Sequence, residues 1–158
     1  MAKELWKRSQ APKEDTWAVE DLYATEEAFL SDVGKMEGMI GELEGLAQEQ
    51  AVGSAEKLLA CFQKLEHLMA LLDRGLNYSE RNADVDTADA HYQALSGKMM
   101  GVYHRFETAL APINSWIVSM EEEQIQKFYQ EAPGLCAYRV SIEDLRRLKE
   151  HTLSPEME

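Results

Sequence analysis

Four histidines, two cysteines and 29 acidic residues are the side chains in this 158-residue sequence suited to metal or proton-transfer chemistry. A helical zinc pair needs two histidines four residues apart on one face. His67, His91, His104 and His151 contain no such pair. The helical period puts His67 opposite the apolar stripe of its helix and His104 well away from its own, so both read as solvent-facing. His91 flanks its stripe, where a core carbonyl is a more natural partner than a metal. The stretch NADVDTADAH gathers Asp84, Asp86 and Asp89 but lacks the turn glycine and terminal bidentate Glu of a calcium loop. Acid there suits the cap and first turn of a helix, where the backbone dipole is positive. Glu121, Glu122 and Glu123 read the same way.

Nucleophile chemistry finds no support either. The sequence holds no Gly-rich phosphate loop, no G-x-S-x-G elbow and no Cys–His pair in a recognisable setting. Cys61 edges an apolar stripe and reads as a small buried thiol. Cys61 and Cys136 fall on different helices and are expected to be reduced and unpaired. Taken alone, these residues make no catalytic apparatus.

The elements that carry them are helical. Thr25 caps an acidic first turn, and Phe29, Val33, Met36, Ile40 and Leu43 then recur at spacings of four and three on a helix ending near Gln50. Ser54 caps a second helix with the stripe Leu58, Phe62, Leu65, Met69, Leu72 and Leu76. A third starts near Thr87 and carries Tyr92, Leu95, Met99, Val102, Phe106 and Leu110. Met36, Met69 and Met99 read as core filling. Pro112 is expected to kink or restart the third helix, because it donates nothing to the ladder. A short helix over Glu121–Tyr129 follows, closed by Pro133-Gly134, and another runs from about Leu135 to Lys149. Similar lengths and short connections predict an all-α fold, an antiparallel bundle of three long helices followed by shorter C-terminal helices. Residues 1–24 form an extended N-terminal arm and residues 25–158 the helical domain. On the first helix Gly34, Gly38, Gly41 and Gly45 line the side opposite the stripe, either open to solvent or a smooth groove for another backbone.

Composition sets outer limits. A chain of this length with 45% hydrophobic residues can bury a real core. The net charge of −13 argues against nucleic acid and anionic membranes as partners. No apolar run approaches the ~20 residues of a membrane-spanning helix, and MAKELWKRSQ lacks the apolar stretch of a signal peptide. The expected location is the cytoplasm. Against this background the cations Arg139, Arg146, Arg147 and Lys149 stand out. For Arg146 and Arg147 we expect pairing with Glu143 and Asp144 near a helix C-terminus. Arg139, earlier in that helix, is the better candidate for a functional contact with a carboxylate. Trp6 and Trp17 in the arm are expected to pack on neighbouring helices.

Three stretches in order along the chain resemble the oligoendopeptidase F family: RSQAPKEDTWAVEDLYATEEAF, DVDTADAHYQAL and YRVSIEDLRRLKEHTLSPEME. They are similar to that family's T-W-x-x-x-D-L-Y run, its D-T-x-x-x-x-Y-Q-A-L helix start and its R-x-K-x-H-x-L-S-x-x-x-E segment. Ala18-Val19 departs from the family's usual Asp-Leu. The resemblance implies a cytoplasmic zinc metallopeptidase that cleaves short peptides inside a channel. It also implies that the zinc-binding H-E-x-x-H helix lies beyond this segment. The chain would then supply part of the channel wall, hold no metal or catalytic residue, be inactive alone, and have the catalytic domain as its partner. Trp17, Tyr138, Arg139, Arg147 and His151 are its candidate channel or interdomain contacts. The ending also fits, since Ser154-Pro155-Glu156 starts a helix as if another followed. The alternative is a free-standing helical adaptor or dimerisation module that associates with itself.

Overall fold

The computed structural model describes residues 10–48 and 53–147. Trp6, Gln50, Lys149, His151 and the helix start at Ser154 lie outside them. Six α-helices and no strand occur among the described residues: α1 (Val19–Leu22), α2 (Glu26–Gln48), α3 (Ala55–Val85), α4 (Ala90–Ser119), α5 (Glu122–Glu131) and α6 (Arg139–Arg147). The expected class, an antiparallel all-α bundle of three long helices with short ones after it, is the observed one. The chain forms two compact units, one from Met1–Glu37 with Met69–His104, the other from Gly38–Leu68 with Arg105–Glu158. All three long helices contribute to each unit, in alternating chain direction.

The helix starts follow local chemistry. Thr25 Oγ1 accepts from the Ala28 amide at 3.2 Å and Ser54 Oγ from the Lys57 amide at 3.3 Å. Asp89 Oδ1 accepts from the His91 amide at 2.9 Å, so α4 begins at Ala90, slightly later than expected. Asp86 accepts from the Ala88 amide at 3.0 Å. The acidic stretch is therefore a turn and a cap, as its spacing suggested. The described part of the arm is not extended throughout, because it contains a 3₁₀ turn at Lys13–Asp15 and the single turn α1.

Every member of the first stripe is buried, with Phe29, Met36 and Ile40 fully so. The second stripe needs correction. Met69 is 57% exposed, and Leu68 takes the buried position instead. Buried positions along α3 run through Leu58, Cys61, Phe62, Leu65, Leu68, Leu72, Gly75, Tyr78 and Ser79, so the buried face is shifted about one position toward the N-terminus of the expected stripe and Met69 turns outward. Met36 and Met99 are core, as expected.

α3 continues nine residues past Leu76, through polar sequence that gave no periodic signal. Its buried polar groups are satisfied within the helix: Ser79 Oγ donates to the Leu76 carbonyl at 3.2 Å, and Asn82 Nδ2 to the Tyr78 carbonyl at 2.9 Å. Nor does α4 restart at Pro112. The helix runs on to Ser119, with Ile113 and Ile117 each 1% exposed. Burial of those side chains outweighs one lost backbone bond. The segment expected as one helix from Leu135 is a 3₁₀ turn over Pro133–Tyr138 that leads into α6.

Candidate functional site

In the first unit the arm lies along α3. Trp17, Ala18, Val19 and Leu22 from the arm, with Asn77 and Arg81 from α3, line a groove of about 260 Å³. Trp17 does not pack into a core as expected; it is 60% exposed. The Arg81 guanidinium sits over its ring at 5.5 Å, while also pairing with Asp84 at 3.2 Å and Glu80 at 3.5 Å. Two helical turns earlier on α3, Arg74 lies over the Tyr23 ring at 4.1 Å. Its Nε donates to the Leu22 carbonyl at 2.7 Å, and a terminal nitrogen stands 3.8 Å from Asp32.

Tyr23 is almost fully buried. Its ring meets Phe29 and Tyr78 edge-on, at 5.6 and 5.2 Å. Its hydroxyl has no hydrogen-bond partner of ordinary geometry. Burial, reinforced by the nearby Asp32 carboxylate, pushes that hydroxyl up to about 12. Asp32 itself is held below the ordinary carboxylate range, first by the 2.6 Å bond from Lys35 and further by the charges of Lys35 and Arg74, with burial opposing.

The second unit holds three of the other predicted residues. Tyr138 stacks on Phe62 at 4.9 Å, and its hydroxyl donates to Glu66 Oε2 at 2.8 Å, a bond that raises the hydroxyl above its usual range. Arg139 opens α6, exposed, with its guanidinium 4.6 Å above the Tyr129 ring. Arg147 pairs with Asp144 at 2.8 Å, the helix-end pairing expected for it. Arg146 does not pair with Glu143. It reaches Glu122 Oε2 at 2.7 Å and the Met120 carbonyl at 3.1 Å, fixing α6 to the start of α5. A residue with 16% side-chain exposure, reaching back 24 positions, gave no local signal for this role.

Of the five candidate contacts, Trp17 therefore falls in one unit, Tyr138, Arg139 and Arg147 in the other, and His151 outside the described residues. His67 and His104 are exposed, as the period indicated. His91 is exposed too, and pairs with Glu26 Oε2 at 2.7 Å rather than with a core carbonyl. Cys61 is buried, which raises its thiol, and Cys136 is exposed; neither is paired. Among the described residues no group of three or more His, Cys, Asp or Glu converges on a metal position. The residues that sequence reasoning missed are Arg74, Arg81 and Asp32. Their partners lie up to 64 positions away, so no spacing announced them. What these arrangements do chemically is hold chain segments in place.

Comparison with known proteins agrees with the three stretches read above. A family model described as Oligopeptidase F matches residues 116–158. Over 157 residues the chain is 30% identical to Oligopeptidase PepF of Bacillus subtilis (strain 168), covering 99% of this chain and 23% of that protein. It is 23% identical over 148 residues to the chromosomal Oligoendopeptidase F of Lactococcus lactis subsp. cremoris, covering 93% of this chain and 25% of that one. A crystal structure from Chlamydophila abortus shares the fold with a TM-score of 0.77 at 20% identity, over 97% of this chain and 26% of that chain. The resemblance to the oligoendopeptidase F family is thus borne out. The chain spans about a quarter of the length of the curated relatives it matches.

Proposed function

We propose that this chain, a relative of oligoendopeptidase F along nearly its whole length, is the N-terminal helical part of a cytoplasmic zinc metallopeptidase that hydrolyses short peptides. The observation that carries this reading is the coverage: 99% of the chain aligns with 23% of a curated oligopeptidase. In this reading, which the family resemblance supports, the metal and the general base belong to sequence outside this segment. The chain's part is to wall the space in which peptides are cut. Arg139 and Trp17, both exposed, are its best-placed contacts to peptide or to the catalytic part.

The test has two arms. The encoding frame is read beyond Glu158, and the longest polypeptide is assayed with a quenched fluorescent peptide beside the 158-residue chain. We expect an H-E-x-x-H segment downstream, turnover by the longer polypeptide that chelation abolishes, and none by the chain alone. Chelator-sensitive turnover by the 158-residue chain overturns the assignment of catalysis to another part. A longer polypeptide with neither H-E-x-x-H nor turnover overturns the peptidase reading.

A further inference from the structure

We infer that the exposed surface of Cys136, Ala137, Arg139 and Val140 docks a segment of the longer polypeptide that bears a carboxylate beside an apolar side chain. This rests on the peptidase reading and specifies one contact within it. Six arginines fall among the described residues, and five of them meet a carboxylate at 2.7–3.8 Å. Arg139 meets none among those residues.

Glu143, one turn further along α6, has the spacing of a helical ion pair. The Arg139 guanidinium lies instead over the Tyr129 ring, 4.6 Å from its centre. A ring holds a cation electrostatically and accepts no ordinary hydrogen bond, so the N–H donors stay open to an incoming acceptor. A planar fork already held in place can meet a carboxylate with two parallel bonds at little ordering cost. Its mounting is firm. Arg146 ties α6 to α5 through Glu122 and the Met120 carbonyl, and Tyr138, just before Arg139, is held by Phe62 and Glu66.

Beside the fork, Val140 is 71% exposed, more than any other large apolar side chain among the described residues. Cys136 and Ala137 are exposed as well, and the Arg139 amide bonds the Cys136 carbonyl, so the thiol stands one turn from the guanidinium. Interface cores combine apolar contact with arginine, which is enriched there over other charged residues. A carboxylate is the complement that this surface lacks. A second copy of the chain is a poor source, because a net charge of −13 on each repels the other. The relatives offer a better one: this chain covers 23% and 25% of their lengths, which leaves most of a polypeptide to pack against it.

Exposed Cys136 is a built-in reporter, and buried Cys61 is its control. Iodoacetamide labelling, read by mass spectrometry at each cysteine, compares the 158-residue chain with the longer polypeptide. Cys136 should label at least about tenfold more slowly in the longer polypeptide, with Cys61 protected in both. There, Arg139→Ala should restore labelling to within about threefold of the short chain's rate. Arg139→Lys, a point charge without the fork, should fall between. Val140→Ser leaves the Tyr129 contact in place and should also speed labelling, so it decides the matter if Arg139→Ala exposes Cys61. Equal labelling of Cys136 in the two polypeptides, or shielding that neither Arg139→Ala nor Val140→Ser relieves, overturns the inference. Shielding of Cys136 in the short chain that grows with concentration assigns the surface to a second copy and overturns it too. A longer polypeptide that cuts peptides with Cys136 unshielded overturns the docking and leaves the peptidase reading. One that shields Cys136 without cutting peptides does the opposite, and a frame closed at Glu158 overturns both.

Discussion

At the scale of single residues, Asp32 and Tyr23 each contribute to how this chain responds to pH. The folded Asp32 carboxyl sits below its ordinary value because Lys35, and then Arg74, favour its charged form. The unfolded chain, with an ordinary carboxyl near pH 4, takes up that proton first. Its stabilisation is therefore present above about pH 4 and is lost as pH falls through the lower folded value. Tyr23 acts at the other end. Its folded hydroxyl is raised from 10.0 to about 12, so its contribution is complete below pH 10 and is lost between 10 and about 12. In urea titrations, Asp32→Asn should lower the midpoint at pH 7 and flatten the acid limb, while Tyr23→Phe should flatten the alkaline limb alone. Limbs that stay parallel to the parent's would mean that neither group controls its range. Sequence pattern had no access to this pair. Asp32 abuts the apolar Val33, which marks a helix edge, but Arg74 joins it only through the fold.

At the scale of elements, much of the structure was legible. Caps at Thr25 and Ser54 and the Phe29–Leu43 stripe are local properties, read correctly because the competing forces act within a few residues. The failures share a cause. The second stripe ran only to Leu76 and Pro112 was expected to kink or restart the third helix, yet burial of Tyr78, Ile113 and Ile117 carries both helices through. Glycine gives a sharper comparison. A side chain at Gly34 or Gly38 would meet nothing within 4 Å, whereas one at Gly75 would come 3.0 Å from Met99 Sδ and 3.1 Å from Met36 Cε. Gly34→Ala and Gly38→Ala should each raise unfolding free energy by about 0.5–1 kcal/mol, through helix propensity and a less flexible unfolded chain. Gly75→Ala has the same propensity gain offset by the shift forced on two packed methionines, so its gain should be smaller or negative. Equal gains at the three sites, by denaturant midpoint, would show that the methionines yield freely.

At the scale of the whole molecule, the two compact units had no signature in the sequence. Their boundary cuts α2 after Glu37, α3 after Leu68 and α4 after His104, inside helices and away from any linker composition. Charge, by contrast, is fully visible in the sequence, and it sets up a competition that structure can decide. Sixteen cations face 29 anions. Many of the cations sit in pairs such as Arg105–Glu44, Lys127–Glu131 and Arg147–Asp144, with side chains more than a third exposed. Exposed pairs contribute about 0–1 kcal/mol each and weaken with salt. The unpaired anionic excess opposes compaction, and salt weakens that too. Repulsion is summed over a net charge of −13, while most pairs among the described residues are exposed and weak, so relief of repulsion should dominate. Raising NaCl from about 0.01 to 0.15 M shortens the screening length from about 30 to about 8 Å. The melting temperature of the 158-residue chain should climb over that range. A falling one would mean that the ion pairs, led by the less exposed Arg146–Glu122 and Lys35–Asp32, outweigh the self-repulsion of the acidic surface.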